Sequence, residues 1–154
     1  MKIAGLTVKN NVVTEIGKFA ILWNRFEHRF CNNHCNLSKI IENGKSIIID
    51  EIKLNNFREA VKKRMELFGV DSTTYVFHEL HLDKKYMSPE DCRRYMEQFI
   101  DNTKPDNITG CLLIIYRIRN NMMHGLKDIN ELDEQFELFQ AANGVLEELP
   151  ERSL

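Results

Sequence analysis

The chain is poor in the residues that interrupt helices. Only three prolines and seven glycines punctuate 154 positions, so long regular elements joined by short connections are expected. It has no long apolar run. Cys111–Tyr116 falls far short of the roughly 20 residues that cross a bilayer as a helix. The opening Met1-Lys2-Ile3-Ala4-Gly5-Leu6 carries too few apolar residues for a secretory signal. The expectation is therefore a cytoplasmic chain without membrane association. Neither sign of charge is in excess, with 21 Lys and Arg against 23 Asp and Glu and a formal net charge of −2. That removes the bulk signature of a strongly basic nucleic-acid binder, while a local positive cleft stays compatible with it. Repeats, low-complexity stretches and domain boundaries are also missing. Residues 1–154 read as one domain, of a size that buries a real core. The four cysteines, Cys31, Cys35, Cys92 and Cys111, are expected to be free thiols in such a compartment.

What is present is helical periodicity. Ile16, Phe19, Ala20, Trp23, Phe26, Glu27 and Phe30 share one face of a helix from Thr14 to Phe30. Glu27 is the odd member, because a carboxylate on an apolar stripe needs a partner. Cys31–Asp50 is ambiguous. It holds Asn-rich turn signals, then Ser46-Ile47-Ile48-Ile49, a short strand or part of a helix. A second helix is expected over Lys53–Phe68, with Leu54, Phe57, Val61, Met65 and Phe68 inward and Gly69 as its stop. A shorter one follows over Thr73–Leu82. Ser88-Pro89-Glu90-Asp91 marks a helix start, with a capping hydroxyl, a proline suited to the first position and acids at the positive end of the dipole. Cys92, Tyr95, Met96 and Phe99 form its apolar face. A further helix runs over Asn107–His124 with Gly125 at its stop. The final one covers Asn130–Leu149, with Leu132, Phe136, Phe139 and Val145 or Leu146 inward, and Pro150 ends it. The fold class is all-α, a single-domain bundle of five to six helices.

The segment that carries chemistry is Tyr116-Arg117-Ile118-Arg119-Asn120-Asn121-Met122-Met123-His124-Gly125, at the end of the most apolar helix. Arg119 and His124 lie five residues apart, roughly 140° around a regular helix. They do not stack on one face. Either the last turn unwinds near Gly125, or the pair meets across a two-fold interface with a second copy. The two residue types suit RNA cleavage. The ribose 2′-OH attacks the adjacent phosphorus when a base takes its proton and an acid protonates the leaving 5′-oxygen. A histidine serves both tasks. A planar, permanently charged guanidinium meets the charge that gathers on the phosphorane oxygens. No metal or cofactor is required. The plainer alternatives stay open here: an arginine at a helix end as a carboxylate partner, and a histidine before a glycine that offsets the helix dipole.

Arg119-Asn120-Asn121-Met122-Met123-His124, at the end of a hydrophobic helix, resembles the motif of the HEPN superfamily, an Arg followed by four to six residues and a His. The polar Asn120 directly after the Arg matches as well. The helix containing Leu22-Trp23-Asn24-Arg25-Phe26-Glu27 is similar to the opening helix of HEPN proteins, in several of which an acidic residue points at the Arg–His site. The resemblance implies a homodimer with a composite, metal-independent endoribonuclease site for single-stranded RNA. The implied setting is a toxin–antitoxin or anti-phage defence system, with an antitoxin or defence protein as a further partner. It implies catalytic roles for Arg119, His124, Asn120 and Glu27, and substrate contacts by Asn121 and Arg117. Arg117 also precedes His124 at an allowed spacing, and Asn120 favours Arg119. Leu126 stands where one toxin group carries a Tyr two residues after the His, which argues against control by tyrosine modification there. Other HEPN domains are non-catalytic binding or regulatory modules, the alternative reading. Glu27 has two readings, site organiser or packing ion pair.

The remaining candidates read more simply. Cys31, His34 and Cys35, with His28 near, lack the second half of a structural zinc site and read as a polar helix end. His78 and His81 read as surface residues. Lys62-Lys63-Arg64, Lys84-Lys85 and Arg93-Arg94 read as solvated faces that would hold an RNA backbone if they lined a cleft. Tyr75, Tyr86 and Tyr95 read as half-buried packing residues.

Overall fold

The computed structural model describes residues 1–66, 89–102, 108–123 and 135–149. Among these the fold is all-α, with six helices: α1 Asn10–Phe30, α2 Leu37–Gly44, α3 Glu51–Glu66, α4 Pro89–Ile100, α5 Ile108–Met123 and α6 Phe136–Glu147. The one sheet among them is a hairpin of Lys2–Ile3 with Leu6–Thr7. Its turn residues Ala4 and Gly5 have φ of 50° and 83°, the left-handed pair that suits the twist of a two-residue hairpin. The expected helix over Thr73–Leu82, together with Phe68 and Gly69, lies outside the described residues. So do Ser88, Gly125, Leu132 and Pro150.

Local chemistry starts the helices where the sequence supplies a cap. The Asn36 side chain accepts from the Lys39 amide at 2.9 Å and opens α2. The Asp50 carboxylate accepts from the Ile52 amide at 2.8 Å and opens α3. α1 begins four residues earlier than the apolar stripe suggests, at Asn10, and buries Val12 in its first turn. Ala20, expected inward, is exposed. The stripe that is buried runs through Phe19, Trp23, Phe26 and Phe30, and Ala20 sits at its edge. Ser46–Ile49 forms neither helix nor strand. Ile47 and Ile49 are buried while Ile48 is exposed, a period of two in an extended segment without a partner strand among the described residues.

α5 organises the core. Ile108, Cys111, Leu112, Leu113, Ile114, Ile115 and Ile118 are all buried, so this helix is enclosed on every side rather than along one stripe. α4 and α2 pack directly on it, while α1 and α3 each pack on α6. Two glycines permit the closest approaches. A Cβ on Gly44 would meet Thr109 Oγ1 at 2.8 Å, and one on Gly110 would meet the Tyr95 carbonyl oxygen at 2.2 Å. The seam between α1 and α6 combines aromatic and polar ties. The Phe19 and Phe139 rings meet edge-on at 5.5 Å. The buried Asn143 donates to the Glu15 carbonyl and carboxylate at 2.9 and 2.8 Å. Arg25 donates to the Leu146 carbonyl at 3.0 Å, at the end of α6 where carbonyls lack helical partners. Between α3 and α4, the buried Arg58 donates to the Phe99 carbonyl at 2.5 Å and lies 4.6 Å over its ring.

The cysteines divide into two kinds. Cys31 and Cys35 form a disulfide, which corrects the expectation of free thiols: the short turn after α1 brings their Cα atoms to 4.8 Å, within bridging range. Cys111 is a free, fully buried thiol, a small hydrophobe as expected. The Cys92 side chain lies outside the described residues.

Two outcomes follow from this packing. Gly110→Ala pushes a methyl group into the Tyr95 carbonyl and is expected to cost about 3 kcal/mol, read from a lowered urea midpoint at constant slope. Burial drives the Cys111 thiol well above its ordinary range, so the reactive thiolate is absent below that raised value. Iodoacetamide at pH 8 is expected to leave Cys111 unmodified in the native protein and to modify it in urea, as checked by peptide mass spectrometry.

Candidate functional site

The candidate site is built from the last turns of α1 and α5. Two turns before its end, α1 turns Trp23 and Glu27 toward α5, one helical turn apart. α5 answers with Tyr116 and, one turn later, Arg119 and Asn120. The Trp23 and Tyr116 rings lie 6.0 Å apart in a tilted arrangement.

Glu27 is the centre of the arrangement. Its Oε1 accepts from the Trp23 indole N–H at 2.7 Å. Its Oε2 accepts from the Cys35 backbone N–H at 3.2 Å. Oε1 also faces Arg119 Nη2 at 3.6 Å, an ion pair longer than a hydrogen bond. Thus the carboxylate on the apolar stripe has three partners, which is why it is tolerated there. The Glu27 and Arg119 side chains are 18% and 30% exposed. A pair that open to solvent contributes at most about 1 kcal/mol. Its larger effect is orientation: Arg119 Nη1 donates to the Asn120 side-chain oxygen at 3.0 Å, so the guanidinium is fixed from two sides.

Arg117 stands apart from this group. It is 5% exposed and faces the core, whereas Arg119 emerges at the surface. Of the two arginines at an allowed spacing, Arg119 is ion-paired with Glu27. Arg117, expected as a substrate contact, is thus buried in this structure. α5 ends at Met123. His124 lies outside the described residues, as does the side chain of Asn121.

The other candidates fall elsewhere. The Cys31 and Cys35 sulfurs are joined to each other, so neither is a thiolate ligand. His34 is exposed, and the His28 ring contacts the Asn33 side chain at 2.5 Å. Lys62 and Lys63 line a groove of about 810 Å³ between α3 and α6. That groove also carries Glu59 and Glu137, and Lys63 is paired with Glu137 at 2.8 Å. It is therefore mixed in sign rather than a basic track. Arg94 lies over the half-buried Tyr95 ring at 5.5 Å. His78, His81, Lys84, Lys85, Tyr75 and Tyr86 lie outside the described residues, and so does the Arg93 side chain. No helix among the described residues is long and apolar enough to cross a membrane.

Two features stand outside the sequence expectations. The hydrogen bond from Trp23 to Glu27 has a signal, their spacing of four on one helix face. The Cys35 amide has none, because a backbone donor carries no residue type. No protein-family model matches this chain, and comparison with curated proteins and with solved structures finds no match either.

Chemically, the arrangement offers one oriented cation beside an amide and a carboxylate, suited to an anionic oxygen. Glu27→Ala strips the acceptor from the Trp23 and Cys35 donors and the counter-charge from Arg119. It is expected to destabilise by about 2 kcal/mol, with Glu27→Gln costing less because an acceptor oxygen remains. An unchanged urea midpoint in Glu27→Ala would show that the carboxylate has no structural weight.

Proposed function

We propose that this chain is a metal-independent endoribonuclease of the HEPN kind, acting on single-stranded RNA as a homodimer in toxin–antitoxin or anti-phage defence. The observation that carries this reading is the position of Arg119. It stands in the last turns of the enclosed helix α5, half-exposed, with an acidic residue of α1 directed at it. That is the relation between first-helix acid and motif arginine that the resemblance implies.

In this scheme His124 takes the proton of the ribose 2′-OH. The oxygen attacks phosphorus, the P–O5′ bond breaks, and an imidazolium protonates the departing 5′-oxygen. The products are a 2′,3′-cyclic phosphate and a 5′-hydroxyl. Arg119 stabilises the equatorial oxygens of the phosphorane. Asn120 and Glu27 hold the guanidinium in place. Two copies related by a two-fold axis bring two motifs to one composite site, so that one His124 can act as base and the other as acid.

A second reading has its own observation. Glu27 already supplies Arg119 with a counter-charge, which suits a non-catalytic module that binds a partner through this surface. The two readings part in one experiment. Purified protein is incubated with labelled single-stranded RNA in excess EDTA. The expected result is cleavage that His124→Ala abolishes and Arg119→Ala lowers by about 10²–10³-fold, with circular dichroism unchanged in both variants. Cleavage that persists in His124→Ala overturns the proposed site. An inert wild-type protein favours the binding module.

A further inference from the structure

We infer that the Cys31–Cys35 disulfide is a redox latch on the Glu27–Arg119 pair: closed, it holds the Cys35 amide on the Glu27 carboxylate, and opened by a dithiol reductant it lets go of it. The latch stands on the geometry alone. Its consequence for RNA cleavage rests on the ribonuclease reading above.

The bridge closes a turn of only five residues, Cys31 to Cys35. Cross-linking so short a loop removes less entropy from the unfolded chain than a long one does, about 2 kcal/mol, because the gain grows with loop length. Its effect is local. Within the turn, Asn32 and Asn33 take φ of 51° and 70°, two successive left-handed residues that are not glycine. Asn32, Asn33 and His34 are exposed, while Cys31 and Cys35 are 1% and 4% exposed. The turn therefore faces solvent with its sulfurs tucked beneath.

Reduction changes the space the sulfurs need. Bonded sulfurs lie about 2 Å apart, and unbonded ones need about 3.5–4 Å. Cys31 follows directly on α1, and its amide is bonded to the Glu27 carbonyl at 3.2 Å. The added distance therefore falls on the turn and on Cys35. The Cys35 N–H to Glu27 bond is already 3.2 Å long, the outer edge of the hydrogen-bond range. A shift of about 1 Å breaks it. Lys39 holds the Cys31 and His34 carbonyls at 2.9 and 3.0 Å, so the turn loosens without detaching. With Oε2 released, Glu27 is held only through Oε1 by the Trp23 indole, and the carboxylate can swing about that single bond, which loosens its hold on Arg119.

The chemistry balances. A thiolate of the dithiol attacks one sulfur through a mixed disulfide, and its second thiol resolves it. Two electrons and two protons end on the Cys31 and Cys35 sulfurs, and the reductant leaves as its own disulfide.

Trp23 is the chain's one tryptophan and donates to the same carboxylate, so its fluorescence reads the latch without any substrate. The test compares air-oxidised protein, the same protein after dithiothreitol, and the double variant Cys31→Ser, Cys35→Ser. Alkylation and peptide mass spectrometry establish the state of Cys31 and Cys35. Expected on reduction are a shift in Trp23 emission, amide exchange at Cys35 faster by at least about tenfold, and unchanged helical circular dichroism. The double variant is expected to show the reduced values with and without dithiothreitol. If RNA is cleaved, kcat is expected to fall by up to about 10²-fold on reduction with KM little changed. Emission and exchange that do not respond, although both thiols become alkylated, overturn the latch. So does alkylation of both before reduction, or loss of helix on reduction. A full spectroscopic response in a protein that cleaves no RNA upholds the latch and removes the ribonuclease reading instead.

Discussion

Everything in this fold depends on one helix that has no polar side through most of its length. A helix with an apolar stripe needs one neighbour, but α5 is buried around its whole circumference from Ile108 to Ile115, with Thr109 its one polar side chain there, and must be surrounded. α2 and α4 lie directly on it, and the α1–α6 seam closes the rest of the core cluster. The enclosure also decides where chemistry is possible. Burial leaves no place for a charged group until the sequence turns polar at Arg117 and Arg119. Of these only Arg119 reaches solvent, because two residues along a helix turn the side chain by about 200°.

The same constraint explains Glu27. A carboxylate on the inward stripe of α1 costs stability unless each oxygen is used. It is used twice by N–H donors and once by a cation. The polar cluster is thus a by-product of where two apolar helices end beside each other. A site is economical there, since the scaffold that positions it is the core itself.

Most of the fold was legible in the sequence because it rests on periodicity. The faces through Leu54, Phe57 and Val61, and through Phe139, Val145 and Leu146, are buried as read. α4 from Pro89 and α5 over Ile108–Met123 cover the stretches read as helical, while the cap Ser88 and the stop Gly125 lie outside the described residues. α1 reached further back than its stripe, because only Val12 anchors its first turn. Ile47–Ile49 was ambiguous because an extended segment can bury alternate residues without a sheet. The disulfide was illegible, since two cysteines four apart look alike whether a turn or a helix separates them. For the site, Glu27 and Arg119 were legible as an apolar-stripe anomaly and a motif, whereas their juxtaposition belongs to tertiary structure.

The seam between α1 and α6 ties residues at opposite ends of the sequence, with Arg25 bonded to Leu146 and Asn143 to Glu15. During synthesis, the aromatic face of α1 is made well before α6, its cover. Until α6 has left the ribosome, Phe19 has no Phe139 to meet. The seam face of α1 waits for a partner 121 residues further along the chain, and contacts of such sequence separation form slowly. How long that face stays uncovered is written into the order of the helices rather than into their composition.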